Sequence, residues 1–339
     1  MDYKEILKQL VLQTAISGRE EKMSFFIKDL FSELCDEVYV DSFFNVTGIK
    51  RGSGKGRILV TAHYDEIGFL VKNIDKKGFV RLASVGGVDN KILPAQEVVI
   101  HGKKEVYGVI GAKPPHLINV EEKKKVAKLE ELYVDTGMTA DSLKKVVSIG
   151  DAVTLRPKYR ELLNSRISAK TVDNRCGVTA LIAAMKELSM LKHESDIYFT
   201  ATTQEEFDLA GAISTAYSVE PDLAIVIDAC HGNVHDAPED DIYTLGRGPA
   251  IGIGPQLDRI YTKKLFKTAK EYNIPYQTDV EAGDTGTEAW AVQVSRAGIP
   301  TTLISIPVRY MHTAIETVDM KDIINTAKLA SRFAACALI

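Results

Sequence analysis

The sequence predicts an α/β protein whose sheet is covered by helices on both faces and whose chain is interrupted by an inserted β-rich module. Three observations carry this reading. Apolar strands alternate with helical patterns toward both ends of the 339 residues, as they do when a sheet is buried on two sides. In the middle, short apolar runs divided by Gly, Asp and Lys turns replace the helical periodicity. The α/β pattern then resumes, so the outer stretches read as one domain split by the middle one.

The first element, "MDYKEILKQLVLQ", sets Ile6, Leu7, Leu10 and Val11 among charges, an amphipathic helix and not a signal peptide. Ser17 with Glu20 has the spacing of a capping box, opening a helix with Met23, Phe26, Ile27, Leu30, Phe31 and Leu34 on one face. "VYVDSFFNVTGIK" and "RILVTAH" read as strands separated by the turn "RGSGKG". From about Gly68 to Pro157 come "GFLVKNI", "GFVRLASV", "EVVIHG" and "EVYGVIG", a small barrel or sandwich-like module bounded at 68–161. Within it, "EEKKKVAKLEEL" mixes its signs and reads as a solvated loop or short helix. "TADSLKKVVSIGD" reads as a short helix ending near Gly150.

The α/β part, 1–67 and 162–339, continues with the helix "NRCGVTALIAAMKEL" and the strands "DIYFTATT" and "DLAIVID". Helices around "DRIYTKKLFKTAKEY" and "TEAWAVQVSRAG" follow, the second with Trp290 as an expected core residue. The strand "TTLISI" and an amphipathic helix from Met320 close the chain.

Hydrophobic and charged fractions of 45% and 26% are those of an ordinary globular chain. A net charge of −4, with Lys and Arg dispersed, gives no electrostatic case for nucleic acid or an anionic membrane. No apolar run approaches the length needed to span a bilayer. Cys35, Cys176, Cys230 and Cys336 are widely spaced, which argues against a disulfide framework or a cysteine zinc site and fits a reducing cytoplasm.

The informative residues are acids and histidines where apolar strands stop. "ILVTAHYDEIG" ends a strand with His63 and Asp65, which share a face because strand side chains repeat every two residues. A metal-bound imidazole needs an acceptor on its other nitrogen, and Asp65 can be that acceptor or a ligand itself. A structural hydrogen bond accounts for the pair equally well. Asp173 and Asn174 precede a helix and by themselves read as N-cap residues. Asp228 closes an apolar strand, where a charge must be paired, hydrogen-bonded or bound to a metal. His312 follows "SIPVRYM", and on its own reads as a satisfied core histidine. Glu205 and Glu206 stand side by side in "TTQEEFDLAG" with no basic neighbour in the chain.

Singly these are ordinary features. Together they place histidines and acids at strand ends or helix starts, where ligand sites of α/β sheets gather. Two histidines and several carboxylates without a thiolate suit a pair of Zn²⁺, Co²⁺ or Mn²⁺ ions. The Glu pair then divides its work, one binding a cation and the other taking a proton from water. A glycosidase also uses two carboxylates, but they flank the bond about 5 to 9.5 Å apart, which adjacent glutamates do not easily do. A catalytically inactive peptide-binding or assembly protein would not need the full set of ligands and base.

These segments resemble a known family. "AHYDEIGF", "IGAKPPHL", "VDNRCG", "TTQEEFDLAGA", "GRGPAI", "GTEA" and "ISIPVRYMHTAIE" are similar, in order and spacing, to the tetrahedral aminopeptidases. That family includes glutamyl and deblocking aminopeptidases and relatives labelled endoglucanases, and the likeness covers nearly the whole chain. The resemblance implies a mixed-sheet α/β/α metallopeptidase catalytic domain, 1–67 and 162–339, interrupted by a β-rich dimerisation domain, 68–161. It implies two divalent metal ions per subunit, Zn²⁺ first and Co²⁺ or Mn²⁺ as alternatives, held by His63, Asp173, Glu206, Asp228 and His312. Asp173 would bridge the ions, and the division of the other four between them is open. Glu205 would be the general base, and Asp65 would orient His63. The implied enzyme is cytoplasmic, removes the N-terminal residue from short peptides and assembles as dimers into a hollow dodecamer.

Two departures stand out. "GTEA" takes the place of "GTDA", so the role of that acid in the substrate pocket does not transfer directly to the longer Glu288. "ACHGNVHDAPED" replaces a loop of small residues. His231 and His235 there read as solvent-exposed loop histidines and Cys230 as a buried small side chain. "GRGPAIGIG" and "AGDTGTEAW" are expected to line the pocket for the first side chain of a substrate.

Overall fold

Residues 57–63 are buried after their first position, and they form a central parallel strand of the larger sheet. The computed structural model describes residues 1–117, 125–237 and 242–338. Helices α1 (Tyr3–Leu12) and α2 (Glu21–Ser32) lead into the hairpin β1 (Glu37–Val40) and β2 (Val46–Lys50), and then β3 (Arg57–His63). The chain next leaves the sheet for β4 (Gly68–Ile74), β5 (Val80–Val85), β6 (Glu97–His101), β7 (Glu105–Gly111), β8 (Tyr133–Asp135), α3 (Ala140–Leu143) and β9 (Ala152–Leu155).

The return begins with β10 (Tyr159–Glu161), β11 (Arg166–Ala169), α4 (Val172–Leu188) and β12 (Asp196–Thr202). Helices α5 (Glu205–Asp208) and α6 (Ala210–Val219) precede β13 (Leu223–His231) and β14 (Ala250–Ile253). The chain ends with α7 (Arg259–Glu271), β15 (Gln277–Val280), α8 (Glu288–Gln293), β16 (Thr301–Arg309), β17 (Glu316–Asp319) and α9 (Met320–Cys336).

The larger sheet has 11 strands, in the order β1-β2-β12-β3-β13-β16-β17-β11-β10, with β14 and β15 branching from β16. Strands β12, β3, β13 and β16 run parallel, so their carboxyl ends meet along one edge. One face packs against α1, α4 and α9 through Ile58, Val60 and Ala62, the other against α6 and α8 through Leu59, Ala224 and Val226. Strands β4-β5-β8-β7-β6-β9 close into an antiparallel barrel around Phe69, Val71, Val98, Ile100 and Val153, which removes the open edges a free sheet would expose. Tyr159–Glu161, at the end of the 68–161 segment, pair with β11 in the larger sheet.

Helix α4 is buried almost all round, as expected for a helix without a polar face. Gly177 allows it to lie close behind β3: a Cβ there would come 2.2 Å from Asn174 Oδ1 and 3.0 Å from the Ala62 Cβ. Buried Arg175 donates to the carbonyls of Leu10 and Gln13, both at 2.7 Å, and so ties α4 to the end of α1. It also donates to Glu66, which accepts from Lys170 and the Ala15 amide as well. Burial pushes the Lys170 ammonium down, while for Glu66 burial is outweighed by the two cations, which hold it below the usual carboxylate range. Three N–H donors converge on Glu66, so the contacts describe an ionised triad.

Several local expectations change. Ser17 and Glu20 form no capping box; α2 starts without a side-chain cap, and Ser17 donates instead to Asp65. "VYVDSFFNVTGIK" folds as a hairpin because Asp41 accepts the Phe43 and Asn45 amides and turns the chain. The helix in "TADSLKKVVSIGD" stops at Leu143, and the one at Trp290 spans only Glu288–Gln293. Trp290 is 43% exposed on it rather than in the core. "GRGPAIGIG" contains strand β14, whose partners are β15 and β16. Of "EEKKKVAKLEEL", residues 121–124 lie outside the described residues, and Leu129–Glu131 form a 3-10 turn. No helix of the described residues is long and apolar enough to cross a membrane.

Candidate metal centre

The carboxyl edge of the parallel strands gathers the acids and histidines singled out above. His63 ends β3, level with Thr202 on β12. Its Nδ1 lies 3.4 Å from Asp65 Oδ1, and its Nε2 lies 3.4 Å from Asp173 Oδ1, 3.7 Å from Asp228 Oδ1 and 3.8 Å from Glu205 Oε2. Asp65 is buried and accepts the amides of Glu205 and Glu206, at 3.0 and 3.2 Å, and the Ser17 hydroxyl at 2.6 Å. Those two amides are orphan donors of the short helix α5, so Asp65 fixes the glutamate pair as well as His63.

Asp173 and Asn174 have non-helical backbones at the head of α4, after Thr171 at φ +59°. Asn174 caps the helix, accepting from the Gly177 amide at 3.1 Å, and its own amide group donates to the Ile227 carbonyl. Asp173 is thereby free to face the cluster. Its Oδ2 lies 3.6 Å from His312 Nε2, which is 3.3 Å from Glu206 Oε2. His312 sits at φ +60° in the turn after β16, and its Nδ1 lies 3.0 Å from the Gly87 carbonyl. Asp228, in β13, points the same way.

Three sets of ligand atoms each lie within 4.8 Å of one another: His63–Asp173–Asp228, Asp173–Glu206–His312 and His63–Glu205–Glu206. The first two share Asp173. Among the described residues, no Lys or Arg pairs with Asp173, Glu205, Glu206 or Asp228.

The electrostatics follow from that imbalance. Burial pushes Glu205 up to about 10, with Asp228 and Glu206 adding to it and His63 opposing. Burial likewise raises Asp228 well above its ordinary value and raises Glu206. For both histidines burial works against the charge, but the acids outweigh it: Glu205 and Asp173 raise His63, and Glu206 takes His312 to about 9. Asp65 is the exception: burial raises it, but His63, Ser17 and the Glu205 amide hold it below the usual range.

His63 Nδ1, Asp173 Oδ1 and Asp228 Oδ2 are buried without a hydrogen-bond partner. The orphaned carboxylate oxygens of an uncompensated acid cluster fit divalent cations, which accept oxygen and imidazole ligands and supply the missing positive charge, while His63 Nδ1 faces Asp65 and leaves Nε2 to the cluster.

Sequence reasoning missed Glu316. It is buried, and its carboxylate accepts the Asp173 amide at 3.0 Å and the His312 amide at 2.7 Å. The available signal was an acid four residues after His312 amid Ile315, Thr317 and Val318. Glu288 is buried, accepts from the Thr202 hydroxyl and belongs to none of the three sets. His231 is exposed at the end of β13, and His235 is exposed beside Asp236. Cys230 is half-buried and belongs to none of the three sets.

A covered mixed sheet, a barrel inserted after a central strand and an acid–histidine cluster at the strand ends define a peptide hydrolase of the α/β class with a candidate metal centre. The chain belongs to the M42 glutamyl aminopeptidase family, which its residues 45–329 match. It is 33% identical over 332 residues to the lysyl aminopeptidase of Pyrococcus furiosus, covering 96% of this chain and 95% of that one. Among solved structures it is similar to a TET aminopeptidase from a marine sediment archaeon of the Thaumarchaeota, with 30% identity, a TM-score of 0.94 and 98% and 97% of the two chains covered. The TET1 peptidase of Pyrococcus horikoshii, described as assembling into a tetrahedron or a large octahedral shell, matches at 30% identity and a TM-score of 0.86, over 98% and 99% of the chains.

Proposed function

We propose that the protein is a dinuclear metal-dependent aminopeptidase that removes the N-terminal residue from short peptides. The observation that carries this is the sharing of Asp173 by two three-ligand sets. His63 and Asp228 would hold one ion, Glu206 and His312 the other, and Asp173 both. Zn²⁺ suits these ligands first, with Co²⁺ or Mn²⁺ as alternatives. When bound, the ions supply Lewis-acid polarisation of the scissile carbonyl and a water of lowered pKa.

The chain's own groups do the rest. Glu205 belongs to neither set built on Asp173, yet its Oε2 faces His63 Nε2 at 3.8 Å. Its Oε2 would take the proton of the attacking water and pass it to the departing amine. Asp65 keeps His63 in one tautomer and ring orientation. A free substrate amino group would sit beside the carboxylates of the centre, which would tell an N-terminus from an internal peptide bond.

On this reading residues 1–67 and 162–339 are the catalytic domain, and the 68–161 segment carries dimerisation. Dimers would assemble further into a dodecamer in the cytoplasm; the shells described for the Pyrococcus horikoshii peptidase support that assembly. The test is a chelate-and-restore assay on free and N-blocked aminoacyl substrates. Activity on free N-termini should vanish with chelator and return with Zn²⁺, Co²⁺ or Mn²⁺. Chelator-insensitive cleavage, or equal cleavage of blocked substrates, would overturn the proposal.

A further inference from the structure

Glu316 is the first residue of β17, at the point where two ladders end. It is level with Ala169 on β11, and the next residue, Thr317, is level with Arg309 on β16. Beyond it the neighbouring chains separate: residues 170–172 climb into α4, and 310–315 turn over the cluster. One carboxylate spans the gap. Its Oε2 takes the Asp173 amide and its Oε1 the His312 amide.

Both amides need such a partner. The first belongs to an irregular helix start that follows Thr171 at φ +59°, the second to His312 itself at φ +60°. Non-glycine residues hold this conformation at a cost and keep it only when their surroundings fix it. The chemistry also selects an acid. A carboxylate offers an acceptor on each oxygen, whereas the carboxamide of Gln turns one of those positions into a donor facing an N–H. Asp65 plays the matching part across the site, with one carboxylate on the amides of Glu205 and Glu206.

We propose that Glu316 is a positioning residue that clamps the backbones of Asp173 and His312 together and thereby sets the affinity of the ion they share with Glu206. This rests on the two-ion reading above. It predicts an unequal defect: removing the clamp tilts Asp173, which both ions share, but frees His312 as well, so the ion held with Glu206 and His312 loses more than the one backed by His63 and Asp228.

The experiment is a titration of the chelator-stripped full chain with Zn²⁺, followed by calorimetry, for wild type, Glu316→Gln and Glu316→Ala. Wild type should take two ions per chain. The variants should bind the tighter ion within a few-fold of wild type, about two- to fivefold, and the second about 10–100-fold more weakly, the usual effect of losing an outer partner of a ligand. Their activity should recover in excess Zn²⁺. Two unchanged affinities, or equal loss of both ions in a folded variant, would overturn the clamp. A wild type that takes fewer than two ions would instead overturn the two-ion reading. If circular dichroism shows Glu316→Ala unfolded, Glu316→Gln, of the same shape and with one acceptor retained, decides the matter alone.

Discussion

The two halves of the cluster are built differently. The inner half, His63 with Asp228, stands on two neighbouring parallel strands, buried, with its imidazole backed by a carboxylate two residues along the same strand end. In the outer half, His312 sits on a turn at positive φ with its side chain 33% exposed, and Glu206 sits on a four-residue helix. The partner of His312 Nδ1 is a carbonyl 225 residues away, on the segment leading out of β5. A ligand on a strand inherits the rigidity of the sheet, and a ligand on a turn must be held by contacts gathered from elsewhere. On the two-ion reading, the inner half would hold its ion more firmly than the outer half.

The most severe way to break this comparison is to remove the residue common to both halves. Asp173→Ala should empty both positions and lower activity to background, measured as zinc per chain and kcat on the same preparation. Glu205→Gln isolates the chemistry: zinc content should stay at the wild-type value while kcat falls by about 10²–10⁴, the usual contribution of a general base. Loss of zinc from Glu205→Gln would show that this glutamate is a ligand and not the base.

A third prediction concerns what lies beneath the inner half. Glu66 follows Asp65 directly and balances Lys170 and Arg175, all buried. Glu66→Gln should cost about 3–5 kcal/mol of unfolding free energy, because two buried cations lose their counter-charge. The pH dependence has a definite sign. With its pKa held below the ordinary 4.5 in the folded state, Glu66 contributes stability above that pH and loses it as the pH falls through the folded value. Denaturant titrations across the acid range should show this leg in wild type and its flattening in the variant. An unchanged acid leg would mean that other carboxylates dominate.

The same contrast explains what was legible in the sequence. The sheet could be read because runs such as "LAIVI" are apolar throughout, and the barrel because short runs alternate with turns. His63 and Asp228 announced themselves as polar residues closing apolar strands. Asp173 gave a weaker signal, since an acid before a helix is an ordinary cap; the structure gives the capping to Asn174. The supports of the outer half left almost no trace. Gly87 contributes a carbonyl, which any residue has, and Glu316 binds amides, which have no side-chain signature. Ser17 carried a misleading signal, because its spacing from Glu20 imitates a local cap while its real partner is 48 residues away.

Ser17 also supplies the mildest test. Its hydroxyl donates to Asp65 Oδ2, and the N-terminal segment that carries it is tied down separately by the Ser17 and Glu66 amides, which donate to the Glu66 and Ala15 carbonyls. Ser17→Ala therefore removes one donor from Asp65 and leaves the Glu205 and Glu206 amides and His63 in place. A hydrogen bond to a charged group is worth about 1.5–3 kcal/mol, and the remaining contacts should confine most of that loss to stability. The denaturation midpoint should drop, kcat should fall by about tenfold or less, equivalent to 1.4 kcal/mol or less, and zinc content should not change. If Ser17→Ala released zinc, the inner half would depend on a distant segment just as the outer half does, and the contrast between the two would be lost.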